Sequence, residues 1–309
     1  MSPSREVGLV VSGVKGDLNK VAEQARMVER AGYHGVYSTE SGIGSLALCL
    51  HMALATERVR VGSAITNFYL RHPAICAQET SYINEISGGR MDLGLGTAHQ
   101  PTNEPRGIDM SKPLTALRNY VAAMQDETWG DPSLYIGALR QKMTATAGEI
   151  SDGAILNMIP KSLLPKWIDA LQAGAARRTD GKTSAKTCLF LGCAMSENVE
   201  EARDVARAGV AFYQRLPFYQ ALMDEAGYGA EARACGAALA RGDQQAALAA
   251  ISDEMVDELY LAGTPAQIKA SMDEYFDQGA ELLILSTRAA SDRISDAFEN
   301  TCAALAPGG

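Results

Sequence analysis

The stretch ATERVRVGSAITNFYLRHPAICAQETSYINEISGGRMDLGLGT, residues 55–97, contains the pattern that decides the fold. Residues 59–66 and 91–96 are short apolar runs typical of buried strands. Between them, residues 73–86 have helical periodicity, with Pro73 at a first-turn position that helices tolerate. A strand, a helix and a second strand in this order predict a parallel βαβ unit.

The same alternation continues on both sides of this unit. Further strand patterns occupy residues 6–12, 35–39, 133–139, 153–159, 186–195 and 281–286. Helical patterns separate them, and the first is bounded by Asp17, suited to an N-cap, and by Gly32, suited to a helix end. Eight such units predict a closed (β/α)8 TIM barrel. The competing doubly wound sheet would place a phosphate-binding glycine loop after its first strand, and residues 12–16 do not match one.

The length of the chain is compatible with one barrel. Its 309 residues would allow two average domains, but single barrels often reach this size, and no linker or internal repeat divides the sequence. We therefore expect one domain over residues 1–309. Residues 199–261 show only helical periodicity, which predicts a helical insertion between strands seven and eight.

Charge and composition exclude several classes of protein. The chain has 28 Lys and Arg against 37 Asp and Glu, a net charge of −9, which does not suit a nucleic-acid-binding surface. No run approaches the roughly 18 apolar residues of a transmembrane helix, and the N-terminus has no signal-peptide pattern. The six scattered cysteines show no zinc spacing, so we expect no metal site, reduced thiols and a cytoplasmic protein.

Several polar residues fall at the carboxyl ends of the predicted strands, where barrel enzymes place their active sites. Glu40 follows strand two, where a catalytic carboxylate and a solvated charge are equally compatible with the sequence. Thr66 and Asn67 end strand three, and they could hydrogen bond a planar heterocycle or cap a turn. His99 follows strand four. Because imidazole titrates near neutrality, we predict that His99 is a general acid or base, with a surface histidine as the alternative.

No known catalytic motif accompanies these residues. The sequence has no nucleophile elbow, no H-E-x-x-H and no calcium-binding loop, and neither His34 nor His51 has an evident partner. Polar binding residues with few strong acids or bases suit an enzyme whose reactive group is an organic cofactor.

Four ordered motifs carry a resemblance to a known family. They are Arg71-His72-Pro73, Ser87-Gly88-Gly89-Arg90, GEISDG at residues 148–153 and LAGTP at residues 261–265. Over nearly its whole length the chain resembles the bacterial-luciferase-like monooxygenase superfamily. Within it, Ile65-Thr66-Asn67 ahead of the Arg-His-Pro turn is similar to the deazaflavin-dependent branch, which includes methylenetetrahydromethanopterin reductase.

The resemblance implies a cofactor and a reaction. The cofactor would be coenzyme F420, with FMN as the alternative, and a hydride would pass between the deazaflavin C5 and an electrophilic C=C, C=N or C=O. The resemblance also implies a non-prolyl cis peptide between Ala64 and Ile65. His99 and Glu40 occupy the places of the family's proton donor and strand-two acid, so both are predicted to be catalytic. The predicted cofactor-binding residues are Ala64, Ile65, Thr66, Asn67, Gly96, Thr97, Ala138, Leu139, Arg140 and Asn157.

Three departures from the family pattern bear on this site. Ser41 stands where a histidine often follows the strand-two acid. Leu139-Arg140-Gln141 replaces a glycine pair that lets the backbone approach the cofactor phosphate, so Arg140 either contacts that phosphate or is a solvated helix-start residue. The segment before strand five is shortened, with only residues 120–135 available. This shortening predicts an open mouth and a large or peptide-borne substrate.

Two rival interpretations remain open. One is a reduced-FMN-dependent monooxygenase of the same family, supplied by a separate reductase. The other is a non-catalytic flavin-binding barrel. In each case we expect a homodimer with no nucleic-acid or membrane partner, and for an enzyme a small-molecule or peptide-borne substrate.

Overall fold

The computed structural model describes residues 4–12, 14–40, 43–126, 130–289 and 293–307. In these ranges the strands form one parallel sheet that closes on itself, which confirms the predicted (β/α)8 TIM barrel. The strands are β1 (Glu6–Val10), β2 (Gly35–Ser38), β3 (Arg60–Ser63), β4 (Thr66–Asn67), β5 (Met91–Gly96), β6 (Ser133–Ala138), β7 (Gly153–Asn157), β8 (Lys186–Met195), β9 (Tyr260–Gly263) and β10 (Leu282–Thr287).

The last barrel strand closes the sheet. Strand β10 pairs in parallel with β1, where Glu6 faces Leu282, and also with β8, where Cys188 faces Leu282. The third barrel strand is interrupted: β3 and β4 both pair with β5, and the peptide bond between Ala64 and Ile65 lies between them. That bond is cis, which confirms the prediction.

Helices follow the barrel strands. They are α1 (Leu18–Arg30), α2 (Ser45–Ala55), α3 (Pro73–Ile86), α4 (Gln100–Asn103), α5 (Pro113–Gln125), α6 (Gln141–Ile150), α7 (Leu164–Ala175), α8 (Val199–Tyr213), α9 (Pro217–Glu225), α10 (Gly229–Ala240), α11 (Gln244–Ala249), α12 (Asp253–Leu259), α13 (Pro265–Asp277) and α14 (Ile294–Ala304). Asp17 caps α1 by accepting from the Lys20 N–H, as predicted. The connection from α5 to β6 is short, also as predicted.

The expectation of helix alone over residues 199–261 was wrong at its end. Helices α8–α12 form the insertion, but β9 begins directly after α12 and pairs in parallel with Gly192–Met195 of β8. Four residues without a preceding turn signal are too few for an apolar run to predict a strand. Tyr260 at the start of β9 is buried, and its ring occupies the space beside Gly192 and Gly209.

A separate cluster of side chains fills the barrel interior. Tyr37 is the more deeply buried of its two tyrosines, and a Cβ added to Gly8, Gly35 or Gly62 would come within 2.5–2.7 Å of the Tyr37 ring. These glycines therefore make room for one aromatic ring. Ile65 and Phe190 pack on the same cluster and remain partly exposed, so they lie between this cluster and solvent.

Polar groups lie at the amino-terminal ends of the strands. The sequence showed no evident partner for His34. In the structure its Nε2 lies 3.1 Å from the Glu6 carboxylate. Asp92 accepts from Arg60 at 2.8 Å and from the Tyr37 hydroxyl at 3.1 Å. All six cysteines are buried and unpaired. Within the described ranges, none of the helices has the length and apolarity to span a bilayer.

Candidate active site

Glu40 lies just beyond the end of β2 and is held by an ion pair. Arg71 donates to its two carboxylate oxygens at 2.6 and 3.2 Å, and the Ser45 hydroxyl donates at 2.9 Å. The backbone N–H of Asn67 donates to the same carboxylate at 3.3 Å. Burial opposes the charged form of Arg71, but the hydrogen bonds and charge of Glu40 outweigh it and raise the pKa of the guanidinium. The carboxylate thus joins the ends of β2 and β4.

The side chains of Thr66 and Asn67 are buried and bonded within the protein. The Thr66 hydroxyl contacts the Ser45 hydroxyl at 2.7 Å and donates to Ser63 at 2.9 Å. The Asn67 amide donates to Asn103 at 2.8 Å. Because both residues are fully buried, backbone included, neither can contact a bound molecule, and the residue of this segment that reaches the mouth is Ile65.

A hydrogen-bond chain continues from Asn67 to the end of β5. Asn103 donates from its amide to the Thr97 carbonyl at 2.7 Å, and this fixes the backbone that leads to His99. Ala98 between them has a positive φ of 51°, a conformation that is uncommon for residues other than glycine. The loop after β5 is therefore held in one defined path before it reaches the histidine.

His99 is surrounded by aromatic rings. Its imidazole is edge-on to Tyr213, with ring centroids 6.0 Å apart, and to Tyr219, at 5.8 Å. Burial alone lowers the pKa of His99 below its ordinary value. Its side chain makes no hydrogen bond to any described residue, so neither ring nitrogen is committed to a partner in the part of the chain that the structure describes.

Asn157, at the end of β7, belongs to the same group. Its amide Nδ2 donates to the Tyr219 hydroxyl at 3.1 Å. Tyr213 ends α8 and Tyr219 lies in α9, so the insertion supplies one wall of the mouth. The sequence interpretation missed both tyrosines as site residues, since nothing in helical periodicity shows over which strand end an insertion packs.

The floor of the mouth is apolar. The side chain of Ile65 lies over Gly96 and Gly137, where an added Cβ would come within 2.8 and 3.0 Å of it. Phe190 packs beside the same core cluster. The two glycines therefore leave room for the Ile65 side chain, which explains why β5 and β6 carry glycine at these positions.

The end of β6 is organised by tryptophan and by charge. The Trp167 indole N–H donates to the Leu139 carbonyl at 3.0 Å, and Ala138 before it is buried. Arg140 lies 3.4 Å from the Glu225 carboxylate, which also pairs with Lys166 at 3.3 Å. Arg140 is thus an exposed residue at the start of α6 that shares Glu225 with Lys166, and its contact with a cofactor phosphate stays a prediction. Ser41, the departure noted near Glu40, lies outside the described residues.

These residues fit a flat ring system with one polar edge. Ile65 and Phe190 could offer apolar contact to its face, and the Asn157 amide, bonded to Tyr219 through Nδ2, could meet its edge. Anionic substituents would face Arg140. The fold thus defines a (β/α)8 barrel protein with apolar, aromatic and polar residues gathered at the carboxyl ends of its strands. The chain belongs to the luciferase-like monooxygenase family, whose model matches residues 3–133 and 125–282.

Relatives and solved structures agree with this assignment. The chain is 27% identical over 291 residues to 5,10-methylenetetrahydromethanopterin reductase from Methanolobus tindarius, covering 86% of this chain and 89% of the relative. The coenzyme F420 dependent tetrahydromethanopterin reductase from Methanopyrus kandleri superposes with a TM-score of 0.79 at 19% identity, over 99% of both chains.

A monooxygenase of the family has the same fold. The 3,6-diketocamphane monooxygenase component from Pseudomonas putida, solved with FMN, has a TM-score of 0.71 at 15% identity. It covers 100% of this chain and 98% of its own. The fold is therefore shared by relatives that use different cofactors.

Proposed function

We propose that this chain is a coenzyme F420-dependent oxidoreductase. The observation that carries the proposal is the 27% identity to a methylenetetrahydromethanopterin reductase over 86% of the chain. The apolar floor that Ile65 forms over Gly96 and Gly137 supports it. The main buried cluster runs from Val7 to Leu305, and we propose accordingly that residues 1–309 act as one domain.

The cofactor would be held by the groups that line the mouth. Ile65 and Phe190 would contact the ring system, while the backbone of residues 64–65 and 96–97 and the Asn157 amide would meet its polar edge. Leu139 and Arg140 would face its tail. When bound, reduced F420 supplies a hydride from C5. The chain's own contribution is to position the ring, exclude water and handle the proton.

His99 is the residue we assign to proton transfer. When hydride adds to a C=C, C=N or C=O group, the π electron pair moves to the neighbouring atom, which takes a proton from imidazolium. In the reverse direction the neutral imidazole accepts that proton. His99 suits both directions because its ring nitrogens have no hydrogen-bond partner among the described residues. Glu40, committed to Arg71, would act by holding Asn67 and the Ile65 backbone in place.

The substrate would be an electrophilic organic molecule, small or carried on a peptide. The M. tindarius relative is named for 5,10-methylenetetrahydromethanopterin, a small organic molecule. The short connection from α5 enters β6 at its amino end, opposite the mouth, so access by a larger substrate rests on the resemblance alone. The tyrosines of the insertion line one side of the mouth.

An FMN-dependent monooxygenase is the second candidate. The specific observation in its favour is the TM-score of 0.71 to the FMN-bound camphane monooxygenase. A TM-score of 0.79 to the F420-dependent reductase favours the first candidate.

Thermal unfolding with each cofactor tests the choice. At about 100 times its Kd, a ligand that binds only the folded state adds roughly 2.7 kcal/mol of apparent stability. We expect F420 to raise the Tm and FMN to leave it unchanged, and reduced F420 to be oxidised when 5,10-methylenetetrahydromethanopterin is added. Stabilisation by FMN alone would favour the monooxygenase, and stabilisation by F420 without turnover of this or other C=C, C=N and C=O probes would favour a non-catalytic barrel.

We also propose that the protein is a homodimer. Helix α3 exposes Ile75, Tyr82 and Ile86 at 49%, 58% and 37%, and their spacing places them on one helix face. Leu54 on the adjoining α2 is 70% exposed. Grouped apolar residues of this size on a monomer mark an interaction surface. Light scattering after gel filtration should give twice the chain mass, and Tyr82→Glu should give one chain mass. Leu18→Glu, on α1, is the control, and a dimer that survives Tyr82→Glu would contradict this interface.

A further inference from the structure

The ring contacts of His99 come from outside its own loop. Tyr213 and Tyr219 both belong to the insertion, and their centroids are 4.8 Å apart. Each meets the imidazole edge-on, at interplanar angles of 77° and 65°. Three rings from two distant parts of the chain thus pack as one unit at the mouth.

The two tyrosines differ in how they are fixed. Tyr219 is 4% exposed, and its hydroxyl is bonded to Asn157 on β7. Burial raises the pKa of Tyr219 well above its usual range, so the phenol is neutral. Tyr213 is partly exposed and its hydroxyl makes no hydrogen bond to a described residue. Tyr219 is therefore fixed to the barrel by its hydrogen bond to Asn157, whereas Tyr213 is held by ring packing.

No charged side chain takes part in this unit. The groups that face His99 from α8 and α9 are the two phenols, and behind Tyr219 lies the neutral amide of Asn157. On its own element, Glu104 bonds to Gln100. Among the described residues, none contributes a charge that shifts the pKa of His99, for which burial is the sole cause. The protonation of the imidazole is thus governed by how well the rings exclude water.

We propose that Tyr213 and Tyr219 are positioning residues of the site, whose rings hold the imidazole of His99 in one orientation and shield it from water. This inference rests on the proposed function only in giving His99 the proton-transfer role. In this proposal the insertion, rather than the barrel, sets the orientation of the His99 imidazole and its exposure to water.

Histidine titration followed by NMR tests the proposal without cofactor or substrate. The chain has four histidines, and His99→Gln identifies the resonance of His99. In the unmodified protein we expect the pKa of His99 to lie below the reference value of about 6.5. Tyr213→Ala should raise it by roughly half a unit or more, because water reaches the ring. Tyr213→Phe, which keeps the ring and removes the hydroxyl, should leave it unchanged.

The matched control is Tyr228→Ala, which removes a partly buried tyrosine from the same insertion away from His99. It should not alter the titration of His99. An unchanged titration in Tyr213→Ala, or an equal shift in Tyr228→Ala, would overturn the proposal, and so would a shift in Tyr213→Phe. If Tyr213→Ala fails to fold, Tyr213→Leu replaces it with the same expected direction. Failure of F420 to bind would instead count against the proposed function, and these titrations would be unaffected by it.

Discussion

The guanidinium of Arg71 holds both oxygens of the Glu40 carboxylate, at 2.6 and 3.2 Å, and only 16% and 15% of the two side chains are exposed. The pair connects the end of β2 with the turn before α3. Because Glu40 also accepts from Ser45 and from the Asn67 N–H, it orients the backbone that flanks Ile65. The stability of the mouth therefore depends on this pair.

Arg71→Met should destabilise the protein by about 3 kcal/mol, because it leaves the Glu40 charge largely buried without its partner. Urea unfolding measures the change. The double variant Arg71→Met/Glu40→Gln should recover more than half of the loss, since it removes the unpaired charge. Arg5→Met, which breaks an exposed pair with Asp273, should cost about 1 kcal/mol or less. A double variant as unstable as Arg71→Met would show that the charge is not the cause.

The low floor of the mouth leads to a second prediction. Gly96→Ala places a Cβ 2.8 Å from two atoms of Ile65, so that side chain must move into the mouth. We expect the Kd for F420, measured by fluorescence titration, to rise about tenfold, with a stability loss of about 1 kcal/mol from overpacking. Ile65→Ala in the same chain should restore part of the affinity.

Gly130→Ala is the control for Gly96→Ala, because the nearest atom to its added Cβ is 3.7 Å away. It should leave the Kd unchanged. If Gly96→Ala binds F420 as tightly as the unmodified protein, Ile65 does not lie under the ring.

The barrel could be predicted from the sequence, but the residues of the insertion that line its mouth could not. The eight barrel strands were predicted because each is a continuous apolar run between turn signals. Strand β9 was missed because it is short and follows α12 without a break. Tyr213 and Tyr219 were missed as site residues because their role depends on long-range packing of the insertion. Likewise, polarity alone placed Thr66 and Asn67 at the mouth, but it could not show that their side chains are occupied within the protein.

Glu225 pairs with Arg140 and Lys166, so it would compete with an anionic cofactor tail bound there. Glu225→Gln should therefore increase the affinity for F420 by about three- to fivefold, the scale of an exposed ion pair worth up to 1 kcal/mol. The gain should shrink as salt is added, because exposed charges are screened. Asp273→Asn removes an exposed acid from the other end of the barrel and should have no effect. An unchanged or weaker affinity in Glu225→Gln would place the cofactor tail elsewhere.

The stability of the protein should depend on His99 in a defined pH window. Burial lowers the folded-state pKa of His99, so the unfolded chain binds this proton more readily than the folded one. The contribution of neutral His99 to the free energy of unfolding is therefore fully present above the unfolded-state pKa of about 6.5. It is lost as pH falls below that value. The difference in free energy of unfolding between the unmodified protein and His99→Gln should be constant above pH 7 and decline towards pH 5. His34, whose pKa is also lowered by burial, is present in both proteins and cancels in the difference.

The rates of both reaction directions should depend on the protonation of His99, and their pH dependences should be opposite. Reduction of a C=N or C=O group uses imidazolium, so its rate should rise as pH falls towards the lowered pKa. Oxidation uses neutral imidazole, so its rate should rise as pH increases through that pKa and then level off. His99→Gln should remove both limbs and lower kcat by about 10²- to 10⁴-fold, while the Kd for F420 changes little because the imidazole lies on the wall of the mouth. Equal kcat values, or an intact pH profile in the variant, would assign proton transfer to another group and leave His99 a packing residue.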